Sequence, residues 1–277
     1  MTESQHTDST GAPSRVPPTG ARAPLLEIDR VSIHFGGIIA LQEVSFAVPH
    51  NKVVGLIGPN GAGKTTLFNC LSRLYTPTSG DILFEGRSIL GLQPYRMAEL
   101  GIGRTFQNLA LFSRMSVLDN IRVGIHNKTR SDHLSNALRL PWTRREEAHT
   151  LAKAKALIEF LDLGDVMNQP ATGLPFGTLK RVELARALAA EPKLLLLDEP
   201  AGGLNHGEVE ELIGLIRTIR DQRGITVLLV EHHMSLVMKI SDEVVVLDFG
   251  RMIAEGTPET VQKNPEVIRA YLGGGEA

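Results

Sequence analysis

The sequence predicts an α/β fold around a mainly parallel sheet. Three observations predict it: an apolar run at residues 52–58 that enters a glycine-rich turn, a second apolar run ending in Asp198 and Glu199, and alternating strand and helix patterns beyond Gly173. The 277 residues are 42% hydrophobic and 22% charged, ordinary composition for a chain that buries a core. Lys and Arg number 29 against 31 Asp and Glu, so a formal charge of -2 draws the chain to neither nucleic acid nor anionic lipid. A single cysteine, Cys70, excludes an intramolecular disulfide or a cysteine metal cluster and suits a reducing cytoplasm. The longest apolar runs, such as 194–197 and 225–230, are far shorter than the roughly 20 residues of a membrane-spanning helix. Residues 1–24 mix Ser, Thr, Gly and Pro without an apolar segment. They read as a disordered tail rather than a secretory signal, with order beginning at Leu25.

Residues 25–35 and 44–48 largely alternate apolar with polar and read as strands; 52–58 reads as a strand buried in the core. Leu67, Cys70, Leu71 and Leu74 recur at helical spacing over 63–74, and the glycines within 76–89 punctuate a short β-hairpin. From about 94 to 169 the pattern is helical: 117–123 behind a Ser116 cap, then a charged stretch at 144–161 with Leu151, Ala154, Ile158 and Leu161 as its buried stripe. With the helix that follows, this predicts an inserted helical subdomain over approximately 94–190. Helices at 177–190, 208–220 and 235–240 alternate with strands at 193–197, 225–230 and 243–247, the order of a parallel sheet covered on both faces. Thr257-Pro258-Glu259 starts a helix, and Pro265 starts the last.

Gly58-Pro59-Asn60-Gly61-Ala62-Gly63-Lys64-Thr65 fits G-x-x-x-x-G-K-[ST] between a strand and a helix. In that setting backbone N–H groups curl around a polyphosphate at a helix N-terminus. Lys64 then reaches the β- and γ-phosphates of ATP and Thr65 offers its hydroxyl to Mg²⁺, with Thr66 the next candidate contact. Asp198 and Glu199 follow four leucines, and successive strand residues face opposite ways, so their tasks differ. Asp198 suits the Mg²⁺ shell, through water, and Glu199 suits the general base that polarises an attacking water. Without the phosphate loop, the same pattern equally describes a solvated strand end.

These motifs, with several short ones in matching order, give a chain that resembles the ATP-binding subunits of ABC transporters from about residue 25 to 272. The resemblance implies a P-loop NTPase core, an N-terminal antiparallel β subdomain and the inserted helical subdomain, forming one ATPase domain over 25–273. Thr105-Phe106-Gln107 looks like the Q-loop, which makes Gln107 a contact to the metal and the attacking water. Phe35 stands where the family places an aromatic under adenine, although an aromatic at a strand end is also ordinary core. His232, after the strand at 225–230, matches the switch histidine that bonds the γ-phosphate; a lone histidine there is otherwise structural. His233 stands where many relatives carry aspartate and receives no role.

Leu174-Pro175-Phe176-Gly177-Thr178 occupies the place of the signature LSGGQ, which in this family completes the ATP site of the opposite subunit. Pro175 replaces its serine and Thr178 its glutamine, while Gly177 and the helix N-terminus still offer backbone donors. Ala201-Gly202-Gly203-Leu204-Asn205 resembles the D-loop, with Asn205 in place of aspartate, a contact across the dimer with less charge. A homodimer would carry two weakened sites, which favours a heterodimer with a second ABC ATPase subunit.

Within the family the chain is most similar to the branched-chain amino acid uptake subgroup. The residues that carry this are HFGGIIAL at 34–41, LFSRMSVLDNI and HLSNALRLPWTRREE after Gln107, the LPFG variant, AGGLN, and the ending GTPETVQKNPEVIRAYLG. The resemblance implies two transmembrane permease subunits, a solute-binding protein, no nucleic acid, and a peripheral place on the cytoplasmic face of the inner membrane. Related subunits serve urea or aromatic acids, so the subgroup is read more firmly than the solute. A soluble relative acting on DNA or ribosomes usually carries two ATPase units, long coiled coils or zinc cysteines, and this sequence has one phosphate loop and only Cys70. A non-hydrolysing scaffold would be free to lose Gln107, Glu199 and His232.

Overall fold

The computed structural model describes residues 23–105, 109–125 and 141–272, the side chains of 141–145 excepted. Two sheets organise it. Strands β1 (Leu26–Phe35), β2 (Ile38–Val48), β4 (Ser79–Phe84) and β5 (Arg87–Ser88) form an antiparallel sheet in the order β2-β1-β4-β5. Strands β3 (Val53–Ile57), β6 (Ile102–Arg104), β7 (Leu194–Asp198), β8 (Thr226–Val230), β9 (Glu243–Asp248) and β10 (Arg251–Gly256) form the second, in the order β10-β9-β3-β8-β7-β6. Its pairs are parallel except β9 with β10.

Every residue of β3, β7 and β8 is buried, which is why these segments are apolar without alternation. Alternate residues still face opposite ways. Val53, Ile57, Leu195, Leu197, Val227 and Leu229 enter one core, with the helices. Val54, Leu56, Leu194, Leu196, Leu228 and Val230 enter the other, with the antiparallel sheet and helix α1 (Lys64–Leu71).

The first core joins the sheet to α3 (Val117–Ile125), α4 (Pro141–Phe160) and α5 (Phe176–Ala189) through Val117, Ile121, Ile158, Val182 and Ala185. Ser116 caps α3, as its position suggests: its hydroxyl accepts from the Asp119 N–H at 3.0 Å. The remaining helices are α2 (Arg96–Leu100), α6 (His206–Arg223), α7 (Met234–Ile240), α8 (Pro258–Gln262) and α9 (Pro265–Leu272). Thr257 caps α8 through the Thr260 N–H.

The structure departs from the sequence pattern in five places. The helix read over 63–74 ends at Leu71, where Ser72 caps it, so Leu74 falls past the helix and is 53% exposed rather than on its buried stripe. The stretch beginning at 94, read as helical, contains β6, whose three residues pair with β7 as an edge of the main sheet. Three residues carry no period, so only the partner strand defines it. β10 has the same origin: it is held by β9, and its sequence pattern is weak. β2 starts at Ile38 because Phe35 pairs with Ile38 across a tight turn. On α4 the buried stripe runs through Ala154, Leu157 and Ile158, with Leu151 only half-buried.

Cys70 lies wholly inside the second core, and burial pushes its thiol up to a pKa of about 11. At pH 8 about one thiol in a thousand is then ionised. A thiol reagent should leave the native protein unmodified at pH 8 and react fully after denaturation; rapid native labelling in a timed absorbance assay would contradict this placement.

Candidate functional site

The phosphate-loop residues lie between β3 and α1, where the apolar strand must end to let the backbone turn. Gly63 caps α1 at φ 99°, a left-handed conformation that suits glycine, and no side chain caps the helix. Its first N–H groups are therefore left without a side-chain acceptor, the arrangement that receives an anion. Lys64 is buried, and its ammonium donates to the carbonyl oxygens of Gly58 at 2.7 Å and Pro59 at 2.9 Å. Burial lowers its pKa from the ordinary lysine value, and the Glu199 carboxylate opposes that shift. A phosphate would supply the negative charge that this buried ammonium lacks, so the loop fits the group the sequence predicts. Gly58 is buried, whereas Asn60, Gly61 and Thr65 are exposed and Pro59 and Thr66 half-buried.

A turn outside the motif braces the loop. The Gly250 N–H donates to the Ala62 carbonyl at 3.1 Å, and the Gly250 carbonyl accepts from Gln42 at 2.8 Å. Gly250 has φ 78°, and a Cβ there would lie 2.7 Å from the Ala40 carbonyl oxygen. From the other side Tyr271 of α9 brings its hydroxyl beside the Gly58 amide without hydrogen-bond geometry, and burial raises its pKa to about 12.

The two carboxylates diverge as strand alternation requires. Asp198 is buried and pairs with Arg104 at 2.8 Å. Arg104 also donates to Asn69 Oδ1 at 3.0 Å and Ser72 Oγ at 2.8 Å, fastening β6 and β7 to α1. The Asp198 N–H donates weakly to Thr105 Oγ1 at 3.4 Å, so the first residue of the Thr105-Phe106-Gln107 motif sits against the carboxylate strand. Gln107 and Phe106 lie outside the described residues. Glu199 has φ 46°, an uncommon conformation for a non-glycine residue, and its N–H donates to the Val230 carbonyl at 2.9 Å. Its carboxylate lies 3.8 Å from His232 Nδ1. The structure thus brings Lys64, Asp198, Glu199 and His232 to one end of the sheet.

Phe35 is half-exposed and meets Tyr75 edge to face, with ring centroids 5.2 Å apart. The alternative of a core aromatic does not hold. Leu174 is half-buried and Pro175 exposed, and Gly177 and Thr178 line a groove of about 660 Å³ with Glu208, Glu211 and Leu215 of α6. No phosphate-loop residue borders that groove. Phe176 rests on Gly203, where a Cβ would come within 2.8 Å of its ring. Asn205 is committed locally: its side chain accepts from the Glu208 N–H at 3.1 Å, and Glu208 accepts from the Asn205 N–H at 2.8 Å, a capping box for α6. Sequence reasoning missed Arg104, Tyr75 and Gly250. A cation immediately before the Thr105 motif was the one available signal for Arg104.

A strand, a phosphate-binding turn and a helix on a parallel sheet, with two carboxylates on a neighbouring strand and an antiparallel sheet and helices attached, define an ATP-binding cassette, an ATP-hydrolysing P-loop domain. The chain belongs to the ABC transporter family: the family model described as "ABC transporter" matches residues 41–202. A second model, "Branched-chain amino acid ATP-binding cassette transporter", matches residues 251–277. The chain is 43% identical over 250 residues to the high-affinity branched-chain amino acid transport ATP-binding protein BraF of Pseudomonas aeruginosa, covering 90% of this chain and 98% of that one. It is 42% identical, with the same coverage, to the corresponding protein LivG of Escherichia coli. A solved ATP-binding cassette of an ABC transporter in its ADP conformation superposes with a TM-score of 0.79 at 31% identity, covering 91% of this chain and all of that one.

Gly250→Ala should destabilise the protein by about 1–3 kcal/mol, because a Cβ meets Ala40 and the residue must hold φ 78°. Urea denaturation and nucleotide titration check this, the expected outcome being a lower midpoint together with weaker ATP binding.

Proposed function

We propose that the chain is the ATP-hydrolysing subunit of an importer for a small solute, a branched-chain amino acid as the first choice. The single observation that carries the catalytic part is the convergence of Lys64, Asp198, Glu199 and His232 at one sheet end. The solute rests on the match to the branched-chain model at residues 251–277 and on the names of the relatives. Urea or an aromatic or amide solute is the alternative.

In this reading residues 58–66 hold the phosphates of ATP, with Lys64 turning from the Gly58 and Pro59 carbonyls toward the β- and γ-phosphates. Phe35, edge to face with Tyr75, offers its ring to adenine. Glu199 takes a proton from the attacking water while His232 bonds the γ-phosphate. Thr65, Asp198 and Gln107 would hold Mg²⁺, which neutralises charge on the β- and γ-phosphates when bound. For Asp198 to serve it, the carboxylate oxygen not paired with Arg104 would carry that contact.

A groove of about 570 Å³ beside β6, lined by Tyr95, Met97, Phe112, Val123 and Ala187, is the seat we assign to a permease segment. Tyr95 and Phe112 are 67% and 50% exposed there, an apolar surface a solvated face does not require. Docking at this groove would hold the chain peripherally at the cytoplasmic face of the membrane. Two such subunits close on ATP, each signature completing the other's site. With Pro175 lacking an N–H and Asn205 spent on its own helix, the partner of choice is a different ATPase subunit.

In the assembled complex Glu199→Gln should lower steady-state phosphate release by about 100-fold or more, as loss of a general base does. Equal rates would remove Glu199 from that role. Purifying the tagged chain from gently solubilised membranes of its host should recover two multi-spanning proteins, a second ATPase and a solute-binding protein by mass spectrometry. Recovery of ribosomes or DNA, or of this ATPase alone with the permeases, would overturn the importer or the heterodimer respectively.

A further inference from the structure

Glu231, the residue before His232, is fully buried, and among the described residues no lysine or arginine pairs with it. A buried carboxylate is unfavourable unless donors surround it, and its donors come from two different loops. Oε1 accepts from the Ala201 N–H at 2.9 Å, in the turn that follows Glu199. Oε2 accepts from the N–H groups of His232 at 3.1 Å and His233 at 3.4 Å, and the His233 ring places Nδ1 3.1 Å from the same oxygen. The His233 ring in turn lies against that of His232, tilted by 37° with ring centroids 4.2 Å apart.

We propose that Glu231 is a positioning residue that locks the His232 loop to the turn after Glu199, so that base and switch histidine keep their relation as the site works. The proposal rests on the roles assigned above to Glu199 and His232. Displacing either loop would leave a buried charge short of donors, so the two loops are held together by the same anion. The 3.8 Å between Glu199 Oε1 and His232 Nδ1 is set from both ends: by the turn that Oε1 of Glu231 holds, and by the His232 and His233 N–H groups and the His233 ring that Oε2 holds. Glu231, His232 and His233 also offer ligand atoms within 4.8 Å of one another. The donors already on both oxygens of Glu231 favour the lock over a metal centre. Glutamine cannot replace it: with one acceptor oxygen in place of two, its amide nitrogen must face an N–H either at Ala201 or at His232 and His233.

The test uses the assembled complex. Glu231→Gln should lower kcat by about tenfold while KM for ATP stays within about twofold and nucleotide binding is unchanged, and the melting temperature should fall by a few degrees because a buried N–H then faces an amide nitrogen. In a His232→Ala background the same change should cost less than about twofold, because the lock then has no switch to hold. His233→Ala, a half-exposed position that folding tolerates, should lower kcat by about threefold at constant KM, and it carries the test should Glu231→Gln fail to assemble. Unchanged kcat in these variants, equal losses in both His232 backgrounds, or KM for ATP moving with kcat would overturn the proposal. Glu199→Gln measured in parallel separates the two levels: if it hydrolyses normally the site reading fails, and if it is inactive beside a normal Glu231→Gln only the lock fails.

Discussion

The parallel register of β3, β8 and β7 is the constraint on which the rest depends. Leu56 and Asp198 both pair with Val230, and β3 runs one residue further, to Ile57, so the three strands end within one residue of one level. The residues just past those ends are Gly58, Glu199 and Glu231, far apart in the chain and adjacent in space. The strands reach that register because each is buried on both faces, and a slip of one residue would exchange the two cores. Packing of leucine and valine therefore determines where the charged groups meet.

Charge then adapts to that scaffold. Lys64, Asp198 and Glu231 are all buried, and each is compensated differently: by loop carbonyls, by Arg104 and by N–H groups from two loops. Removing one member of such a set leaves the other uncompensated, at about 3–5 kcal/mol for a buried ion pair. The Arg104–Asp198 pair also ties α1, β6 and β7 together immediately before the segment containing Gln107. A change at the carboxylate strand is thus felt at the edge strand β6, which precedes α3.

The departures from the family pattern have local structural counterparts. Phe176 of the LPFGT segment is accommodated by Gly203 of the loop after the carboxylates, where a larger residue would strike its ring. Asn205 supplies a neutral cap, and the capping box with Glu208 keeps α6 beginning where an aspartate would also have begun it. The two variant motifs are matched to each other within one chain.

The sequence by itself determined the phosphate loop, the carboxylate strand, the order of the core elements and the family, because these rest on local patterns: glycine spacing, apolar runs and caps such as Ser116 and Thr257. Phe35 is a candidate adenine contact only through resemblance, since an aromatic at a strand end has no pattern of its own. Only the tertiary structure decided β6 and β10, which exist by pairing with β7 and β9, and the roles open to Arg104, Gly250 and Glu231. Each of the three has at least one decisive contact far away in the chain, Arg104 with Asp198, Gly250 with Ala62 and Gln42, and Glu231 with Ala201, and no local period records such contacts. The physical reason is the same throughout: backbone preference is read along the chain, whereas compensation of a buried charge is arranged across it.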